Sequence, residues 1–293
     1  ARNGHDVPDH GEGGPIGNLE VAAQEHPEAE QQRCSRQQFA KCTLFAQTRK
    51  NDGRAQNFAV LEHNGIGTVL VGSERCCGMP KLELGDLEAV AGRVQGATGR
   101  RVLPVVTDVK QPDAVDHMVA RTMEEFGRID ILVNNAGIAA AGAVHELEAA
   151  VWDRVIAVHL RGTFLVTRAV LPGMYARGRG RIINTASQLA YKGAPGFSAY
   201  TAAKGGILSF TRTTALEIGA RDITINCVAP GATLTPILDD VPKDVLETIR
   251  AAIPLGRLAE VADIVPSYVF LASDEARHFQ GQCLSPNGGD VFL

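Results

Sequence analysis

The chain has 293 residues and 31.1 kDa, 45% hydrophobic and 21% charged, the balance of a globular chain long enough to bury a full core. Its 29 basic and 33 acidic residues, with pI about 6.1, create no positive field to gather phosphate backbones, which argues against nucleic acid as a partner. The six cysteines, at positions 34, 42, 76, 77, 227 and 283, show no CxxC and no Cys/His ligand spacing, so buried free thiols are expected and no metal site.

In chain order, Ala1 to Gln38 reads as a polar N-terminal extension. It carries seven acidic and three basic residues, and the remainder of the chain is balanced. It has no basic start followed by an apolar stretch, and no apolar run in the chain approaches the roughly 18 residues that span a bilayer, so a cytoplasmic protein without membrane contact is expected. The run Gly11, Gly13, Gly14, Gly17 looks like a phosphate loop, but no strand precedes it to aim the backbone amides.

From Phe39 onward short β-branched runs alternate with amphipathic stretches, the signature of βαβ units. Strands are expected at Lys41 to Ala46, Thr68 to Val71, Val102 to Thr107, Ile129 to Asn134, Arg181 to Thr185, Thr224 to Val228 and Gln282 to Pro286. Helices are expected at Leu87 to Thr98, Ala114 to Phe126, Val151 to Val170 and Ser198 to Ile218. This predicts an α/β fold: a single doubly wound Rossmann-type domain over residues 39–293, with a seven-stranded parallel sheet. Ligands of such folds sit at the carboxyl ends of the strands.

Chemistry-bearing residues gather at those ends. After the strand ending at Asn134, Ala136 and Gly137 make a small-residue turn that lets the backbone approach a flat ligand. The next strand delivers the Ser187 hydroxyl, where a substrate oxygen can accept a hydrogen bond. Thirteen residues on, Tyr200 and Lys204 stand at i and i+4 on one helix face, so the ammonium can lie beside the phenol.

This combination resembles the short-chain dehydrogenase/reductase family, 3-oxoacyl-ACP reductase-like, from about Phe39 to Gly289. The matching pieces are Thr107-Asp108-Val109, Asn134 to Gly137, Ser187, Tyr200-xxx-Lys204, Ala229-Pro230-Gly231 with Thr233 and Thr235, Ile253 to Arg257 and the glycines near the end. The resemblance implies an NAD(P)(H)-dependent oxidoreductase interconverting a secondary alcohol and a ketone. In that mechanism Tyr200 is the acid/base, Ser187 holds the substrate oxygen, and Lys204 lowers the phenol pKa and binds the nicotinamide ribose. Asp108 and Val109 would border the adenine, and Pro230, Gly231, Thr233 and Thr235 the nicotinamide end. The lid, Ala232 to Arg257, mixes Ile237, Leu238, Val241, Leu246 and Ile249 with Asp239, Asp240 and Lys243, suggesting a mostly apolar small-molecule substrate. The family's pairing through its two long helices and last strand implies a homotetramer or homodimer.

The sequence departs from the family in three places. Its opening glycine motif is degenerate: aligned on Ala46 to Gly53, only Gly53 remains, while Asn64 to Gly67 offers a second reading of the loop. After the second strand, Ser73 and Arg75 favour NADP(H) over NAD(H), against Glu74. Where the family carries an asparagine of the proton relay, this chain has His159, which either relays protons itself or makes one structural hydrogen bond. The alternative function is redox-free acid/base chemistry, lyase or isomerase, by a relative that has lost nucleotide binding.

Overall fold

A computed structural model describes the backbone of Cys42–Ala46 and Gly67–Gly72 and the chain over residues 91–292, apart from residues 93–94, 97–98, 236–237 and 239–240. By compactness the chain divides into Ala1–Gln38 and Phe39–Leu293, and every described residue lies in the second unit.

Seven strands form one sheet: β1 Cys42–Ala46, β2 Gly67–Gly72, β3 Val102–Val106, β4 Ile131–Asn134, β5 Arg179–Thr185, β6 Asp222–Val228 and β7 Cys283–Leu284. Their order is β3-β2-β1-β4-β5-β6-β7, with every neighbouring pair parallel. The direction of winding reverses between β1 and β4, which opens the ligand crevice of a doubly wound sheet at their carboxyl ends. Of the two readings of the phosphate loop, Ala46 ends the central strand β1 at the crevice and Gly67 begins β2; the other residues of both segments lie outside the described residues.

Helices cover both faces, which is why the central strands read as continuous apolar runs. On one face α1 (Pro112–Phe126), α2 (Ala149–Arg177) and α4 (Ser198–Ile218) bury Met118, Val155, Leu165 and Ala203 against Leu132, Ile182 and Ile225. On the other, α6 (Val261–Ala272) packs Ile264, Tyr268 and Leu271 against Ile131, Val133, Ile183 and Val228. The short α3 (Leu189–Lys192) follows β5, and α5 (Lys243–Ala252) lies in the expected lid.

Helix α2 departs from expectation. It spans 29 residues rather than Val151 to Val170, contains a π-wound turn at Ala157–Arg161, and continues through Pro172, which costs one backbone bond, to the left-handed Gly178 at φ 68°. Its length and composition suffice to cross a membrane, contrary to the reading of the sequence as lacking such a stretch, yet half of its most apolar window is buried inside the fold. It is a core helix packed on α1, α4 and the sheet.

Strand limits shift for local reasons. β5 starts at Arg179 instead of Arg181, opposite Asp222, where Arg179 and the buried Arg181 both pair with Asp222 and Asp274. β7 holds only two residues because Pro286 has no N–H to continue the ladder. Of the helix expected at Leu87 to Thr98, residues 91–92 and 95–96 are described, and both pairs are helical.

Candidate active site

Three strand ends and one helix build the site. Ser187 follows β5 by two residues, and its hydroxyl accepts a hydrogen bond from Leu189 N at 3.2 Å. Across from it, α4 presents Tyr200 and Lys204 one turn apart. The Lys204 ammonium donates to Thr185 O at 2.6 Å and lies 5.6 Å from the Tyr200 ring centroid. The Ser187 and Tyr200 hydroxyls are hydrogen-bonded partners. The three residues predicted from the sequence are therefore brought together at the carboxyl end of β5.

Burial dominates their electrostatics. It lowers Lys204 from the usual lysine range to about 7, partly opposed by Cys227. It also pushes the Tyr200 phenol up, with only the Ser187 hydrogen bond pulling down. Burial thus holds this phenol up in the free protein, the direction opposite to the tuning expected of Lys204.

His159 sits on the π-wound turn of α2, 1% exposed, with its ring edge-on to Tyr200 at 5.2 Å. Its Nε2 meets both backbone groups of Ile138, 2.9 Å from N and 2.7 Å from O. Burial first, then the Lys204 charge, hold its pKa down to about 3, against the Ile138 bond. Its charged form is thus disfavoured, and it lies against the turn after β4 through Nε2, while its buried Nδ1 has no partner. The small size of Gly137 serves this packing: a Cβ there would stand 2.6 Å from His159 Cε1.

The expected cofactor residues fall into three groups. The Asn134 amide donates to Thr167 Oγ1 at 2.9 Å and Asn184 Oδ1 at 2.8 Å, and its buried Oδ1 has no partner. Ala136 is half-buried and packs against the core below it. Asp108 and Val109 follow β3; the Asp108 carboxylate accepts from Lys110 N at 3.0 Å, and Val109 is buried against Gly162 of α2. Pro230 and Gly231 follow β6, with Gly231 N donating to Pro286 O at 3.1 Å, while Thr233 Oγ1 donates to Gly231 O at 2.9 Å and Thr235 Oγ1 to Thr233 O at 3.3 Å. Gly53, Ser73 and Arg75 lie outside the described residues.

The donor set fits a nicotinamide dinucleotide. A lysine ammonium has three donors, of which Thr185 O takes one, and ribose hydroxyls are acceptors the other two would fit.

Sequence reading did not single out Gln188. It is buried beside Ser187, donates to Asp290 Oδ2 at 2.7 Å, and leaves its Oε1 without a partner. Lys192 grips the same carboxylate at 2.6 Å, so the segment after β5 is clasped to the C-terminal end. The 98 residues between those partners hid the pair from any local pattern.

Comparison with known proteins places this arrangement. A family model described as enoyl-(acyl carrier protein) reductase matches residues 83–290. The chain is similar to the (2S)-[(R)-hydroxy(phenyl)methyl]succinyl-CoA dehydrogenase subunit BbsD of Thauera aromatica, 45% identical over 206 residues, covering 70% of this chain and 83% of the relative. It is 37% identical over 207 residues to the 3-oxoacyl-[acyl-carrier-protein] reductase FabG of Thermotoga maritima, covering 71% and 84%. Among solved structures, levodione reductase superposes with TM-score 0.76 at 32% identity, covering 86% of this chain and 98% of that one. With a doubly wound sheet, a Ser-Tyr-Lys cluster at its crevice and relatives at this level of identity, the chain belongs to the short-chain dehydrogenase/reductase family and is an NAD(P)(H)-dependent oxidoreductase of secondary alcohols and ketones.

Proposed function

We propose that this protein prefers NADP(H) and reduces a mostly apolar ketone of the 3-oxoacyl thioester kind to its secondary alcohol. The observation that carries the reading is the meeting of Ser187, Tyr200 and Lys204 at the carboxyl end of β5. The bound nicotinamide would supply the hydride. Ser187 turns its hydroxyl from Tyr200 to the substrate oxygen and fixes the carbonyl beside the phenol. Tyr200 Oη donates its proton to that oxygen as negative charge develops on it. The phenolate left behind is buried, and the Lys204 ammonium, 5.6 Å from the ring centroid, offsets that charge while its other N–H groups hold ribose hydroxyls. Residues Pro230 to Thr235 would line the nicotinamide end, and Asp108 and Val109 the adenine.

NADP(H) preference is supported by Ser73 and Arg75, which directly follow β2 in the sequence, where a 2′-phosphate is met in this fold. The thioester class is supported by the similarity to BbsD and FabG, and an apolar substrate by the lid's Leu238, Leu246 and Ile249. The half burial of α2 inside the fold supports a core helix rather than a membrane span. A homotetramer or homodimer through α2 and α4 is supported by large apolar side chains left at the surface, Phe164 at 42% and Leu216 at 83% exposure.

Titration with NADPH and with NADH, followed by nicotinamide fluorescence, tests the cofactor. NADPH is expected to bind at least about tenfold tighter, a difference of about 1.4 kcal/mol; equal or tighter NADH binding overturns the preference. Tyr200→Phe is expected to lower kcat for a 3-oxoacyl thioester by roughly 10²–10⁴ while NADPH binding and thermal unfolding stay near wild type, and unchanged turnover would remove Tyr200 from the mechanism.

A further inference from the structure

Strands β6 and β7 set Cys227 directly opposite Cys283 in parallel register. Paired positions project from the same face of a sheet, here towards α4, where both cysteines pack in one cluster with Ile207 and Leu208. Both thiols are free, Cys227 buried and Cys283 half-buried. Neighbouring strands lie about 4.8 Å apart, within the Cα separation of roughly 4.4–6.8 Å that a disulfide accepts.

The two sulfurs differ in surroundings. Cys283 Sγ donates weakly to Leu284 O at 3.9 Å, and the neighbouring Cys227, then Tyr191, with Arg212 nearby, hold the Cys283 thiol below its ordinary value despite partial burial. Contact with Cys283, with burial, raises Cys227. Cys227 also reaches Thr211 Oγ1 at 3.1 Å, the end of a buried chain through Asn184 to Asn134. Cys283, the more exposed of two cysteines paired across β6 and β7, is placed to be the attacking sulfur, and the buried Cys227 its resolving partner.

We propose that Cys227 and Cys283 are a redox couple, a dithiol that a hydroperoxide oxidises to a disulfide across β6 and β7. The Cys283 thiolate attacks the outer peroxide oxygen; the O–O bond breaks, Cys283 becomes a sulfenic acid, and the departing oxygen takes a proton and leaves as water or alcohol. The Cys227 sulfur then attacks the sulfenic sulfur, giving up its proton as hydroxide leaves as water. Two electrons pass from the two thiols to the peroxide. Closure draws Cys227 Sγ away from Thr211.

The test uses the full chain and reads sulfur chemistry, so it stands apart from the proposed reaction. The protein is treated with hydrogen peroxide, alkylated and digested, and its peptides are followed by mass spectrometry. The expected result is a cross-link between the peptides carrying Cys227 and Cys283 that a dithiol reductant reverses. Cys227→Ser is expected to stop at a Cys283 sulfenic acid captured by dimedone, and Cys283→Ser to leave Cys227 alkylatable only after unfolding. Oxidation of the other four cysteines without that cross-link overturns the proposal, as does dimedone capture at Cys227 in Cys283→Ser.

Discussion

A single imidazole shows how burial sets chemistry at this site. His159 titrates near 6.5 in an unfolded chain but only near 3 in the fold, chiefly because burial penalises its charged form. Between those values the unfolded chain binds the additional proton, so this residue's contribution is full above about pH 6.5 and is lost as pH falls towards 3, by up to about 5 kcal/mol. His159→Asn keeps a donor and an acceptor for Ile138 and removes the titration. Urea midpoints for wild type are expected to fall between pH 7.5 and 5 and those of the variant to fall less; parallel curves would sink the assignment. Because burial disfavours the charged form of His159, the pH profile of kcat/KM between pH 6 and 9 is expected to be unmoved in the same variant, which favours the structural role, whereas a shifted profile would make His159 a proton relay.

At the scale of elements, the crevice is held by loops that touch each other's backbone. The turn after β6 and the segment after β7 approach so closely that a Cβ on Gly231 would stand 2.8 Å from Asn287 Cα. Backbone cannot swing aside as a flexible side chain can, so Gly231→Ala is expected to cost about 1–3 kcal/mol and to lower Tm by several degrees, roughly 2–4 °C per kcal/mol. Differential scanning calorimetry checks this, and an unchanged Tm would mean the two loops are free to separate. The strands and the longer helices were legible in the sequence, since alternation and β-branched runs report which faces are buried, whereas α3, α5 and α6 were not among the helices expected. Element ends were less so. The helix expected to end at Val170 continues through Pro172 to Arg177, because its packing on the sheet and the neighbouring helices offsets one lost backbone bond.

For the whole molecule, the apolar side chains that the single chain leaves exposed ask for a partner. Phe164 on α2 stacks edge-on with Phe210 on α4 at 6.4 Å, and Leu216 projects from the same helix at 83% exposure. Light scattering at micromolar concentration is expected to report a tetramer or dimer, and Phe164→Glu to shift it towards monomer. A monomeric wild type would contradict the interface.

The sequence by itself determined the order of the strands and longer helices, the small-residue turn after β4 and the Ser187, Tyr200 and Lys204 set, because each is written in spacing along a few turns or one strand. Tertiary structure decided what those residues experience. That Gly137 makes room for His159, that Asn134 spends its amide on Thr167 and Asn184, that Asp290 closes on Gln188 and Lys192, and that Cys227 faces Cys283 all depend on segments distant in sequence meeting across a parallel sheet. Burial and charge are properties of that meeting, so the direction of the Tyr200 and Lys204 shifts was decided only when the chain closed around them.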